Sequence, residues 1–169
     1  MSVAADWIRG YARQADADFR AWELYEKHPE AVAAHCHKMQ FLQMACEKLC
    51  KAHLIASGTD AESLQTSHGY IAKPLPNVIK DQILFLKGNP KKMAGVLTHV
   101  RHIAQEIEVL SPQQTRDGRR PDNCEYPWQV GETVQSPLDW EFHPSQLAVK
   151  PSGITFLKLV RGAINRLLQ

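Results

Sequence analysis

Hydrophobic residues recur every three or four positions along most of the chain, which is the period of an amphipathic α-helix. The longest stripe runs over residues 30–56 and stops at Ser57 and Gly58. Gly58 suits the left-handed position that ends many helices. The same pattern predicts helices over 4–27, 30–56, about 75–87, 90–110 and about 153–168.

The stretch between the last two predicted helices, residues 111–152, has a different character. Prolines recur throughout it and exclude a long helix. Its aromatic residues favour a loop that wraps the bundle over a disordered one. No alternating pattern typical of strands competes with the helices. We therefore expect one all-α domain over residues 1–169, an antiparallel bundle of about five helices with this long loop before the last helix.

Charge and composition narrow the function classes only slightly. The chain has 169 residues, with 20 basic and 18 acidic side chains and a net charge of +2. This balance excludes a strongly basic nucleic-acid coat but permits a local basic patch. No apolar run reaches the ~20 residues of a membrane helix, and the start has no secretory pattern, so we expect a cytoplasmic protein. The four cysteines lack the spacing of zinc or thioredoxin motifs, and we expect them to be buried core residues.

Three segments occur in an order that is found in a known family. Residues 40–58 read QFLQMACEKLCKAHLIASG and are followed by Thr66 and His68 in a loop. Tyr126, Pro127 and Trp128 come later, before the last helix. This order resembles the HEPN superfamily, whose helical bundles have a long second helix, a loop with Thr and His, and a Tyr-Pro segment before the last helix. The resemblance spans nearly the whole chain.

The resemblance implies a homodimer and a role that involves RNA or nucleotides. It implies either a metal-independent ribonuclease or a non-catalytic binding module, often in toxin–antitoxin or defence systems beside a nucleotidyltransferase-type partner. In catalytic members roughly four to six residues separate an Arg from a following His, whereas here His102 follows Arg101 directly. We therefore expect a binding module for a nucleotide, RNA or protein partner, without a cofactor. The alternative is a ribonuclease toxin with an altered site at Arg101, His102 and His99.

The polar side of the fourth predicted helix carries the strongest local pattern. His99, His102 and Glu106 lie at positions i, i+3 and i+7 and share one side of the helix. Two imidazoles and a carboxylate suit a divalent metal or a proton transfer. A solvated or dimer-facing polar strip has the same pattern. Since no third motif accompanies it, the set is only a weak metal candidate.

Other candidate ligand-binding residues lie in loops. The loop TRDGRRPDN is rich in arginine, which grips phosphate with two hydrogen bonds. Tyr126 is suited to stacking on a base, or to pinning the loop to the bundle. The candidates are His68, Arg116, Arg119, Arg120 and Tyr126.

Overall fold

The computed structural model describes residues 3–29, 34–66, 69–112, 122–147 and 149–169. Within these ranges the protein is mostly helical, and the predicted all-α fold is confirmed. None of the helices in these ranges combines the length and the hydrophobicity that a membrane-spanning helix needs. The helices are α1 (Val3–Lys27), α2 (His35–Ala56), α3 (Ala61–Gln65), α4 (Leu75–Phe85), α5 (Ala94–Glu108) and α6 (Pro151–Leu167).

Helix α2 is the centre of the bundle and contacts α1, α4, α5 and α6. Because helices pack around most of its surface, α2 has buried polar residues as well as apolar ones. Lys51 Nζ lies 2.8 Å from Glu47 Oε1, and Gln43 Nε2 donates a hydrogen bond of 3.0 Å to Glu47 Oε2. The buried carboxylate is therefore paired on both oxygens, which offsets the cost of removing it from water.

The main core fills the space between α2 and the four helices around it. Its largest fully buried side chains include Phe19, Leu49, Ile79 and Phe156. Arg161 of α6 closes one side of this core, because its guanidinium lies 4.5 Å from the centre of the Phe19 ring and pairs with acidic residues of α1. The first and last helices are thus joined by apolar packing and by charge.

The helix ends depart from the sequence prediction by a few residues. Helix α2 begins at His35, and residues 30–33 lie outside the described part of the chain. Helix α5 begins at Ala94, since turns occupy residues 90–93. The predicted left-handed residue after α2 is confirmed, with Gly58 at a φ of +95°.

The loop before α6 contains structure that the sequence pattern missed. Strands β1 (Trp128–Val130) and β2 (Thr133–Gln135) form an antiparallel hairpin, and His143–Gln146 form a 3₁₀ helix. Strands of three residues are too short to show an alternating pattern. The loop packs on the bundle through a second hydrophobic cluster made of Ala34, Cys36, Met39, Leu110, Cys124, Trp128 and Phe142.

The four cysteines are free and buried, which confirms their prediction as core residues. Burial raises the pKa of Cys46 and of Cys124 to about 12, so both remain protonated thiols at neutral pH. Cys124 also anchors the loop, because its backbone N–H donates to the carbonyl oxygen of Leu110 at 3.0 Å. These cysteines stabilise the fold by packing.

Candidate functional site

Helix α5 presents polar residues on two sides while its apolar stripe faces the core. Leu97, Val100, Ile103, Ala104 and Ile107 are its buried residues. His99, His102 and Glu106 point to one side, where they line a cavity. Arg101 and Gln105 line a groove on the other side. The separation follows from the helical turn, because neighbouring residues are rotated by about 100°.

On the first side, three side chains converge into what we call the histidine cluster: His102, Glu106 and His143. One donor atom from each lies within 4.8 Å of the other two. His143 Nδ1 is 3.7 Å from Glu106 Oε2, and the two imidazole rings meet edge to face with centres 6.1 Å apart. Glu106 is mostly buried, whereas both histidines are exposed. The cluster therefore joins two helical residues to one loop residue.

The cluster lies at the wall of a cavity of about 50 Å³ between α5 and the 3₁₀ helix. A cavity of this size has room for one or two water molecules, at about 30 Å³ each. Ile103, Pro144 and Leu147 form its apolar part, and His99 and Lys150 are also in its wall. It combines an apolar base with imidazole and carboxylate groups.

His143 is held in place by its buried neighbours, although its own side chain is exposed. Phe142, directly before it, is 1% exposed and belongs to the second hydrophobic cluster. At the other end of the 3₁₀ helix, Leu147 is buried against the main core. Gly153 of α6 lies so close to the Leu147 carbonyl that an added Cβ would be 2.0 Å from its oxygen. The cavity wall thus depends on close packing against α6.

On its other side, α5 forms a groove with α4 and the turn before it. We call it the basic groove and define it by Lys73, Lys80 and Arg101. Its volume is about 300 Å³, and none of the described residues that line it is acidic. All three cations are exposed, and none has a carboxylate partner among the described residues. Asn77 and Gln105 add amide groups to the lining.

The three residues of the altered ribonuclease site are therefore divided between the two sides of α5. His99 and His102 line the cavity, and Arg101 lines the basic groove. Of the weak metal set, His102 and Glu106 belong to the histidine cluster, with His143 as the third member in place of His99.

The remaining sequence candidates lie elsewhere. Tyr126 is 61% exposed and borders a separate cavity with Cys36 and Cys124. The candidates outside the described residues are His68, Arg116, Arg119 and Arg120.

Sequence reasoning missed His143, Lys73 and Lys80. His143 is followed by Pro144 in an irregular segment, and nothing in the spacing connects it with α5. Lys73 and Lys80 each look like ordinary solvated charges in the sequence. Only the packing of α4 against α5 brings them to the same groove as Arg101.

No family model matches the chain, and no match was found among curated proteins or among solved structures. The similarity to the HEPN superfamily therefore stays a prediction.

Proposed function

We propose that this chain is a HEPN-like, non-catalytic binding module that holds a phosphate-bearing ligand, a nucleotide or RNA, in its basic groove. The observation that carries the proposal is the presence of three cationic side chains in one groove, with no acidic side chain among the described residues that line it. With a net charge of only +2, most of the protein's basic residues are balanced by acidic ones. An unbalanced group of cations is therefore a local feature with a ligand preference.

The chemistry of the groove suits a phosphate. Arg101 offers a planar guanidinium that binds two phosphate oxygens at once, and Lys80 adds an ammonium group. Asn77 and Gln105 supply neutral donors and acceptors for a sugar or base. The volume of about 300 Å³ is at the lower end of the range for small-molecule sites. A nucleotide or a short stretch of an RNA backbone is the ligand class that fits these groups.

The separation of Arg101 from the histidines supports a non-catalytic role. In a ribonuclease, the group that transfers the proton and the group that stabilises the charged phosphate must reach the same scissile bond. Here Arg101 lines the groove, while His99 and His102 line the cavity on the other side of α5. A ligand phosphate in the groove would meet cations without a proton-transfer group.

Binding measurements with single-site variants test this proposal. A labelled single-stranded RNA and a nucleoside triphosphate should both be titrated against the wild type at low and high salt. Lys80→Ala and Arg101→Ala should each weaken binding about threefold to tenfold, since each removes a phosphate contact. Lys158→Ala is the matched control, because Lys158 is exposed on α6, outside the groove. Equal losses in Lys80→Ala and Lys158→Ala, or no binding by the wild type, would contradict the proposal.

The same experiment addresses the ribonuclease alternative. The RNA should remain intact after incubation with the wild type. Metal-independent cleavage that His102→Ala abolishes would instead favour the altered Arg101, His102 and His99 site.

The proposal includes a cytoplasmic homodimer and a nucleotidyltransferase-type partner in a toxin–antitoxin or defence system, as the family resemblance implies. One feature supports self-association: Leu84 and Leu86, at the end of α4, are 50% and 60% exposed next to the exposed Phe85. Adjacent exposed apolar side chains are typical of contact surfaces. Light scattering should give twice the chain mass for the wild type and the single mass for Leu84→Ser with Leu86→Ser. A wild-type monomer at every concentration would contradict this part of the proposal.

A further inference from the structure

We propose that the histidine cluster binds a divalent transition-metal ion of the zinc type, with His102, Glu106 and His143 as its protein ligands. This site is separate from the basic groove and goes beyond the proposed function. It differs from the set that the sequence indicates, because the third ligand comes from the loop before α6.

The distances leave only a small adjustment for metal binding. Because the three donor atoms lie within 4.8 Å of one another, a point exists no more than about 2.8 Å from each of them. Zinc binds imidazole nitrogen and carboxylate oxygen at about 2.0–2.2 Å. A shift of less than about 1 Å at each donor therefore completes the contacts. The exposed imidazoles of His102 and His143 can make such a shift by turning about their side-chain bonds.

The type of donor decides the class of metal. Two imidazole nitrogens and one carboxylate oxygen suit Zn²⁺, Co²⁺ or Ni²⁺, whereas Mg²⁺ and Ca²⁺ prefer sets made of oxygen alone. A structural zinc site has four protein ligands in a closed tetrahedron, whereas this site offers three. Because all three ligands line the cavity of about 50 Å³, a fourth ligand from that cavity would be a water molecule.

The two elements that supply the ligands explain how the protein builds the site. His102 and Glu106 are four residues apart on α5 and therefore lie one turn apart on the same side. Phe142 and Leu147, buried on either side of the 3₁₀ helix, hold His143 opposite them. A bound ion would cross-link α5 to this loop and stabilise their contact.

Metal titration of the untagged chain tests this inference. Calorimetry with Zn²⁺ alone should show one equivalent bound per chain, and Zn²⁺ should raise the thermal unfolding midpoint. Co²⁺ should give the visible absorption of a tetrahedral site. His102→Ala, Glu106→Gln and His143→Ala should each weaken Zn²⁺ binding by at least about tenfold.

His99→Ala and His143→Ala form a matched pair, since each removes one histidine from the cavity wall. The proposal expects a large loss of affinity for His143→Ala and less than about a threefold change for His99→Ala. His37→Ala is a second control, because His37 is exposed near a different cavity. Circular dichroism should show that each variant keeps its helices.

Three results would overturn the inference. They are the absence of Zn²⁺ binding by the wild type, equal binding by wild type and His143→Ala, and a loss in His99→Ala as large as that in His143→Ala. Arg101→Ala should leave Zn²⁺ affinity unchanged, because Arg101 lies in the basic groove and not in the histidine cluster. The phosphate proposal and the metal proposal can therefore fail independently of each other.

Discussion

The helical bundle and the 122–147 segment are stabilised in different ways. In the bundle, α2 and the helices around it share one core, in which Leu42, Ile79 and Phe156 are each 0% exposed. The 122–147 segment depends on a few anchors, chiefly Cys124, Trp128 and Phe142. The stability of the bundle is distributed over many contacts. In the 122–147 segment, the loss of one anchor would free the residues on both sides of it, as far as the next anchors.

This difference matters for the candidate sites. The basic groove is built from α4, α5 and the turn before α4, whereas the histidine cluster takes His143 from the 122–147 segment. Regions held by few buried contacts open at lower free energy than a core does. We therefore expect the groove to be as stable as the fold, and the histidine cluster to be lost before the helices unfold.

The largest expected effect comes from removing a core ring. Phe156→Ala should lower the free energy of unfolding by about 3–5 kcal/mol, because a fully buried ring leaves a cavity in the bundle. Phe142→Ala should cost less, about 1–3 kcal/mol, since the 122–147 segment can detach while the bundle persists. Denaturant unfolding followed by circular dichroism measures both. If Phe142→Ala unfolded the helices as readily as Phe156→Ala, the two regions would be one cooperative unit.

An intermediate effect is expected where the two regions meet. Gly153→Ala should destabilise the protein by about 1–3 kcal/mol, because the new methyl group would collide with the Leu147 carbonyl and force the backbone apart. Gly10→Ala is the matched control, since no heavy atom lies within 4 Å of its added Cβ and alanine favours a helix. Thermal unfolding should show a lower midpoint for Gly153→Ala and an unchanged or higher one for Gly10→Ala. A neutral Gly153→Ala would mean that the loop is not packed against α6 as described.

The smallest expected effect is a pH dependence of the stability of the bundle, caused by His53 of α2. Burial lowers the pKa of His53 from 6.5, and Arg166 adds to this, although Asp81 opposes it. The Asp81 carboxylate lies 3.8 Å away and is half exposed, so solvent weakens its influence. An unfolded chain then binds more protons than the folded one below pH 6.5, and stability falls as the pH falls through that range.

His53→Gln should remove this part of the acid sensitivity. The free energy of unfolding, measured by denaturant at pH 7.5 and at pH 5.5, should therefore decline less in the variant than in the wild type. An equal decline in both proteins would show that the protonation of His53 does not affect folding.

The sequence predicted the helices because an amphipathic helix requires apolar residues at regular intervals along the chain. Apolar residues at steps of three and four marked α2 and α5, and Gly58 marked the end of α2. The short hairpin was missed, since three residues per strand give no readable period. The sequence pattern also showed no sign of a contact between Glu108 and the turn before α4. There the backbone N–H groups of Ile71 and Ala72 donate to the Glu108 carboxylate at 2.8 and 2.9 Å.

By itself, the amino-acid sequence determined that this protein is a helical bundle and that α5 carries His102 and Glu106 on one side, because both follow from a local period. Only the tertiary structure decided that His143 joins them and that Lys73 and Lys80 share a groove with Arg101. These groups are distant in sequence, and packing between separate elements brings them together. The helical period fixes the direction of a side chain on its own helix, but not its neighbours on other elements.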